Sequence, residues 1–486
     1  MGKIFIKLGH IFFWLFIWMI IFTSSFVKKT WGDIDLAQFL FFVQTDLNGV
    51  DRKLVLKGLF ECIFIPVIIV VLFYWVFYLM AKFNKIMAGI FLLVIDCFLV
   101  LSVFLCVENC FSSYVSFEKI NFYEKNYVNI NQLEQDLPRN VIVLFAESLE
   151  NKDIQALSEE VKLDDNDAIK FDNLTEGYAQ RWTQGALFSA FTGVHIHYLS
   201  EYLRYALYDK VKWGSFNPEM DIVASHRVGQ NFDFYIPNIR VLSDITKEHG
   251  YQNLFVKGGT GSFSGTNNFL YAHGFEASDF IYYSKFKGWP NYGKYPDWWG
   301  IDDASLIQMF ENKIDELDKT KPFFAVGFTL DLHFGTNPFY KDEKSLLIST
   351  IVNINNFIQW FRKQDFYNNT TLVIIGDHKR MGGNVKPGGY IYNAFFNLPE
   401  GLKENLNIHR TFNQIDMFPT LLEIMGYKLP LHKAGMGTSL FSSSKTLAED
   451  YSYDEQVKIF NKLDDFYHKL WSTENIFDNE TENAEK

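Results

Sequence analysis

Cysteine is scarce. The 486 residues hold four, Cys62, Cys97, Cys106 and Cys110, all in or beside apolar N-terminal segments, and residues 111–486 hold none. Most of the chain therefore carries no disulfide, and its cysteine usage does not report a redox compartment. An excess of basic charge is also missing. There are 45 Lys and Arg against 57 Asp and Glu, a net charge of -12. A nucleic-acid backbone needs a basic surface to bind, so that class of partner is excluded. No internal repeat is visible.

What the chain does have is apolar and aromatic mass, with 50 Phe, 25 Tyr and 48% apolar residues overall. Much of it lies in the first 110 residues, so the mean hydropathy of -0.04 averages two unlike halves. The length has room for two or three domains. Residues 11–27 are marginally long enough to cross a bilayer, and 59–80 and 86–107 can each span about 30 Å of hydrocarbon as a helix. A cleavable signal peptide is the alternative for the first segment alone. The two that follow favour an embedded anchor, so residues 1–110 are expected to form about three transmembrane helices. Charge does not settle their orientation. Lys3, Lys7, Lys82 and Lys85 would face one side, and Lys28, Lys29, Arg52, Lys53 and Lys57 the other. Asp96, mid-span, and Glu61, near a span end, are functional candidates by position. The commoner explanation is a neutral or helix-paired carboxyl.

Residues 111–139 look like a connector, ending in Leu137-Pro138-Arg139. From 140 the pattern changes. Short β-rich runs (221–224, 254–256, 323–330, 372–375) alternate with helical ones (305–317, 345–361), which indicates an α/β sandwich over 140–446. Residues 447–486 form an acidic, aromatic tail with an expected helix over 454–470 and a disordered end.

The middle of the chain is organised around 141–145, Val-Ile-Val-Leu-Phe. An unbroken apolar run rich in β-branched residues reads as a parallel strand buried on both faces. It ends in Glu147 and Ser148, where open α/β sheets place their ligands. Far downstream, 371–375 repeats the pattern and ends in Gly376-Asp377-His378. Two further apolar strands end near Lys257 and His333. Taken singly, each has a plain structural explanation: a turn for Asp377-His378, a packed ring for His333. Together they imply one site, because a parallel sheet brings such ends to one edge. Thr183, in Trp182-Thr183-Gln184-Gly185, is placed to open a helix. It is either an ordinary N-cap or a hydroxyl beside the positive helix end, where a phosphate would bind and a metal would activate the oxygen. His195 and His197 read as a surface pair.

The motifs, taken in order, resemble a known family. Glu147-Ser148-Leu149-Glu150, Trp182-Thr183-x-Gly185, 250–259, Phe263-x-Gly265, His273-Gly274-Phe275, 297–303, Thr329-x-Asp331-x-His333 and Gly376-Asp377-His378 are similar to those of bacterial membrane-anchored phosphoglycerol transferases. These belong with lipoteichoic acid synthases in the sulfatase-like branch of the alkaline phosphatase superfamily. The resemblance covers about residues 140–440 and implies an alkaline-phosphatase/sulfatase-like α/β sandwich with a mostly parallel central sheet behind N-terminal transmembrane helices.

The resemblance also implies roles. Glu147, Thr183, Asp377 and His378 would hold one divalent metal, Mn²⁺ first, with Zn²⁺ or Mg²⁺ as the other candidates. On ligand softness alone the metal stays open. Thr183 would be the nucleophile and His333 would contact phosphate or protonate a leaving oxygen, with Lys257 and Arg380 neutralising phosphate charge. The implied enzyme is a phosphotransferase of the cell envelope. It would be multi-pass in the bacterial inner (cytoplasmic) membrane with the catalytic domain on the periplasmic or extracellular side. It would move phosphoglycerol from phosphatidylglycerol, the phospholipid donor, to a glycan or glycolipid acceptor. The alternatives are a phosphoethanolamine transferase acting on lipopolysaccharide, whose soluble domains usually carry disulfides, and a non-catalytic membrane-tethered binding protein. Two departures bear on donor and acceptor. Residues 188–197 lack the cysteine and proline often found there, and Asp377-His378 continues as Lys379-Arg380-Met381-Gly382-Gly383.

Overall fold

The computed structural model describes residues 2–31, 52–111, 118–131, 133–196, 236–261, 263–295, 298, 300–333, 337–380, 389–404, 406–460 and 462–471. The chain divides into two compact units. Of the described residues, one contains 2–31 and 52–111, and the other contains 118–380 and 389–471.

The first unit is helical. Its helices run Gly2–Trp31, Arg52–Leu59 continuing through a π-helical turn Phe60–Phe64 into Ile65–Phe83, and Lys85–Phe111. Three stretches, Gly9–Val27, Val55–Phe83 and Lys85–Val103, are long and apolar enough to cross a membrane. Phe16, Trp75 and Leu93 point outward, as side chains do on helices that meet lipid. Asp96 does not stand alone. The Trp14 indole donates to its Oδ1 at 2.6 Å, and His10 Nε2 lies 3.2 Å from both its oxygens. Glu61 faces Lys57 at 3.9 Å, one helical turn away. Both carboxylates thus have a partner, as a carboxyl within a membrane span would need.

The second unit is built on a six-stranded sheet. We label its strands in chain order β1 (Asn140–Ala146), β2 (Gln252–Lys257), β3 (Phe280–Ile281), β4 (Phe323–Phe328), β5 (Thr370–Gly376) and β6 (Asn393–Phe396). Their spatial order is β3-β2-β4-β1-β5-β6. The first five are mutually parallel, and only β6 runs antiparallel to its neighbour. In register, Phe145 of β1 faces Phe328 of β4 and Ile375 of β5. The side chains of β1, β4 and β5 are buried throughout, because helices cover both faces of the sheet. On one face Ile142, Leu144, Ala325 and Ile374 pack with Phe310, Ile314, Phe357 and Phe361 of the helices Asp303–Asp315 and Glu343–Arg362. Asp302 and Asp342 cap these helices by accepting from the backbone N–H three residues on, which fixes where each begins. The result is an α/β sandwich with a mostly parallel central sheet, the carboxyl ends of five parallel strands on one rim.

Two expectations change. The stretch expected as a connector enters the second unit: Lys119–Ile120 pairs in parallel with Leu463–Asp464, and the helix Phe122–Asn126 follows. The single helix expected over 454–470 is two, Tyr453–Phe460 and Asp465–Leu470, separated by that strand. Asp464 breaks it by accepting from Tyr123 N at 2.9 Å and from Phe466 N at 3.1 Å, competing with helical bonds as Asp does at caps and turns. Beyond it Tyr467, Leu470 and Trp471 are buried. The expected strand at 221–224 and the end of the tail lie outside the described residues.

Trp471 stacks on Phe188, ring centroids 6.2 Å apart. Trp471→Ala is therefore expected to cost about 3 kcal/mol or more of stability, the range for emptying a buried aromatic site. Chemical denaturation of the purified chain checks it, and an unchanged midpoint would mean this segment does not pack.

Candidate active site

Glu147 leaves β1 at the carboxyl rim and is buried. Its N–H donates to Thr329 Oγ1 at 2.8 Å, tying the β1 end to the β4 end. Ser148 follows in a left-handed conformation, φ 52°, which costs energy for a residue with a Cβ. That turn lets Ser148 hold two carboxylates at once. Its hydroxyl donates to Glu147 Oε1 at 2.7 Å and its N–H to Asp377 Oδ1 at 2.8 Å.

Asp377 and His378 follow β5. Gly376 is required there: a Cβ would come within 2.4 Å of Leu149 O and 2.6 Å of Ile391 Cγ2. Gln414 donates its Nε2 to the carbonyls of Gly376 and Asp377, both at 2.9 Å. His378 Nδ1 donates to Lys379 O at 2.7 Å. That bond places the ring proton on Nδ1 and leaves the Nε2 lone pair facing the carboxylates, the usual device for orienting a metal-binding imidazole.

Thr183 begins the helix Thr183–Thr192, but it is not the cap. The N-cap is Trp182, extended at φ -159°, ψ 155°, and its indole donates to Ala179 O at 3.1 Å. The chain folds tightly here because position 185 is glycine; a Cβ on it would overlap Ala179 O at 1.9 Å. Spared from capping, the Thr183 hydroxyl lies 3.4 Å from Glu147 Oε2 and 3.4 Å from His378 Nε2. The capping explanation of this threonine is thus replaced.

Glu147, Asp377 and His378 offer ligand atoms all within 4.8 Å of one another. His378 Nε2 is 3.5 Å from Glu147 Oε1 and 3.2 Å from Asp377 Oδ2. Burial pushes the Glu147 carboxyl up to about 8, and Asp377 adds to the shift against His378, Ser148 and Lys257. For His378, burial disfavours the charged ring, but Asp377 and Glu147 outweigh it and hold its pKa above the ordinary value. Asp377 Oδ2 is buried without a hydrogen-bond partner. Two buried carboxylates with one oxygen orphaned are costly without positive charge. Two carboxylates, an imidazole and a hydroxyl fit a divalent cation of hard or borderline character.

Lys257, at the end of β2, is buried and donates to Thr266 Oγ1 at 2.9 Å. Burial depresses its pKa to about 7, against the pull of Glu147, so an incoming anion would restore its charge. His333 lies on the loop after β4, its ring 5.8 Å from that of Phe263. The Phe263 ring also lies 5.4 Å from Lys257 Nζ. The Arg380 guanidinium faces Asp153 at 3.2 Å and also pairs with Glu343. His195 is a correction. It is not at the surface but fully buried, 3.4 Å from Tyr123 OH and packed on Phe460. His197 lies outside the described residues. Gln414 was not singled out from sequence, and Ser148 and Thr329 were named there without the holding role they have here. Their roles depend on contacts between distant segments that no local pattern shows.

The family model described as Sulfatase matches residues 139–346, a span that includes Glu147, Thr183, Lys257 and His333 but stops before Asp377. Phosphoglycerol transferase I of Escherichia fergusonii is 28% identical over 215 residues, covering 40% of this chain and 27% of its own length. Phosphoglycerol transferase I of Xanthomonas campestris pv. campestris is 24% identical over 328 residues, covering 63% of this chain and 43% of its own. The chain thus spans less than half the length of these relatives. A solved alkaline phosphatase superfamily protein from Vibrio parahaemolyticus is 20% identical, with a TM-score of 0.46, over 69% of this chain and 78% of its own.

Two measurements test the site. Asp377→Asn is expected to weaken Mn²⁺ binding by more than about tenfold, the loss typical of even a supporting residue; unchanged affinity by titration calorimetry would count against the site. Because Glu147 holds a proton up to about pH 8, a cation must displace it. Affinity should therefore rise between roughly pH 6 and 8 with proton release, and a flat profile would contradict the coupling.

Proposed function

We propose that the chain is a membrane-anchored phosphoglycerol transferase of the sulfatase-like branch of the alkaline phosphatase superfamily. The observation that carries this reading is the Thr183 hydroxyl, 3.4 Å from both Glu147 and His378. It sits at a helix N-terminus above the rim of a parallel sheet, where phosphate is favoured by backbone N–H groups and the helix dipole. The names of the curated relatives support phosphoglycerol as the group moved.

Glu147, Thr183, Asp377 and His378 would hold the metal, Mn²⁺ in this proposal. When bound, it supplies positive charge that lowers the pKa of the Thr183 hydroxyl and offsets phosphate charge. Thr183 Oγ, its proton released to solvent, attacks the phosphorus of phosphatidylglycerol in line as the alkoxide. The bond from phosphorus to the diacylglycerol oxygen breaks, and His333 gives that oxygen its proton. A phosphoglycerol ester on Thr183 remains. A hydroxyl of a glycan or glycolipid then attacks the same phosphorus, Thr183 Oγ leaves, and the acceptor's proton returns to His333. Lys257 holds anionic oxygen in both halves. Arg380, paired with Asp153 and Glu343, takes no step in this proposal.

The apolar helices tether the transferase to the bilayer that supplies its donor and receives the diacylglycerol. We place the catalytic unit on the outer side of a bacterial cytoplasmic membrane, where glycan acceptors are.

Thr183→Ala is expected to reduce release of radiolabelled headgroup from phosphatidylglycerol vesicles by about three orders of magnitude or more, as for deletion of a covalent nucleophile. Its folding should stay near wild type, and saturating Mn²⁺ should not restore transfer. Residual activity close to wild type would remove Thr183 from the mechanism. No transfer by the wild-type chain with any glycan or water as acceptor would remove the phosphoglycerol assignment.

A further inference from the structure

The residue after the nucleophile is a glutamine at full burial. Gln184 is 0% exposed. It lies on the first turn of the helix Thr183–Thr192, so its side chain leaves the axis roughly 100° around from that of Thr183. Thr183 faces the ligands of β1 and β5. Gln184 faces the other way along the rim, towards β2. Its Oε1 accepts from Thr266 Oγ1 at 3.1 Å, and Thr266 Oγ1 accepts from Lys257 Nζ at 2.9 Å. Lys257, Thr266 and Gln184 thus form a chain from the end of β2 to the helix that opens with Thr183.

The other half of the amide is unsatisfied. Gln184 Nε2 is buried with no hydrogen-bond partner. A buried amide donor costs free energy when unpaired, and native structures keep few of them. The Thr266 hydroxyl, which the Phe263 carbonyl shares at 3.0 Å, faces the carboxamide oxygen. The amide's free N–H₂ group is a neutral donor beside the nucleophile and backed by a buried amine. A tetrahedral phosphate diester whose phosphorus meets Thr183 has non-bridging oxygens to offer.

We propose that Gln184 is a substrate-binding residue, donating from Nε2 to a non-bridging oxygen of the phosphate group. Lys257 and Thr266 fix the direction of that donation. The inference rests on the reading of Thr183 as the attacked-phosphate site, and extends it by assigning the anion's second contact. The ligand class is a phosphate mono- or diester. An amide donor adds no charge and stays in place through transfer, which suits a group whose negative charge shifts in the transition state.

The test compares wild type with Gln184→Glu and Gln184→Leu in the full, Mn²⁺-loaded chain, using inorganic phosphate as the probe. Glu keeps an acceptor for Thr266 and removes the donor; Leu removes both. Both variants should weaken competitive binding of phosphate on the order of ten- to a hundredfold, the worth of one hydrogen bond to a charged group. They should lower kcat/KM for headgroup release by a similar factor. Mn²⁺ affinity and melting temperature of Gln184→Glu should match wild type. Phosphate affinity equal to wild type in Gln184→Glu overturns the proposal, as does a loss matched by loss of Mn²⁺ or fold. So does a wild-type chain that binds no phosphate. A wild-type chain that binds phosphate through Gln184 but releases no headgroup would leave this contact standing and sink the transferase reading alone.

Discussion

Two buried carboxylates facing one another across a single imidazole dominate the physics of this protein. Glu147 and Asp377 sit at the ends of adjacent parallel strands, both fully buried, with His378 between their oxygens. Burial and mutual repulsion hold a proton on Glu147 up to about pH 8. Such a pair persists only where the fold fixes it. Here Ser148 clasps both acids from a left-handed backbone turn, and Gln414 holds the β5 end by two carbonyls. The strain at Ser148 and the unsatisfied oxygen at Asp377 mark where folding has been traded for chemistry.

The same arrangement explains how the Thr183 hydroxyl is made available. A threonine that caps its own helix has its oxygen committed to backbone N–H groups. Trp182 takes the cap position instead, and Gly185 lets the turn close. The hydroxyl of Thr183 is left to the ligands. The helix that carries it is buried along its whole length and is backed by Phe269, Phe324 and Trp471. Rigid support of that kind keeps the reacting oxygen in place.

Much of this was legible in the sequence, for identifiable reasons. Strands buried on both faces print as unbroken apolar runs, so β1, β4 and β5 announced themselves, as did the charged residues at their ends. Helices with capping aspartates and 3.6-residue periodicity, Asp303–Asp315 and Glu343–Arg362, were equally plain. What sequence could not resolve is set by partners far along the chain. Arg380 sits three residues from Asp377 and invited a phosphate role; its pairing with Asp153 and Glu343 does not show in the local pattern. His195 looked polar and exposed but packs beneath Phe460. Residues 454–470 carried one helical pattern, which Asp464 interrupts by binding Tyr123 N. In the last two cases a contact across a hundred residues or more outvoted the local pattern.

The central claim is that the Thr183 oxygen becomes bonded to phosphorus. Mass spectrometry of the purified chain, incubated with phosphatidylglycerol and Mn²⁺ but no acceptor and quenched in acid, addresses it directly. The expected result is a peptide containing Thr183 heavier by one glycerol phosphate, absent when lipid is withheld. An ethanolamine phosphate adduct from phosphatidylethanolamine alone would change the donor. A peptide that stays unmodified while headgroup is released would contradict the covalent route.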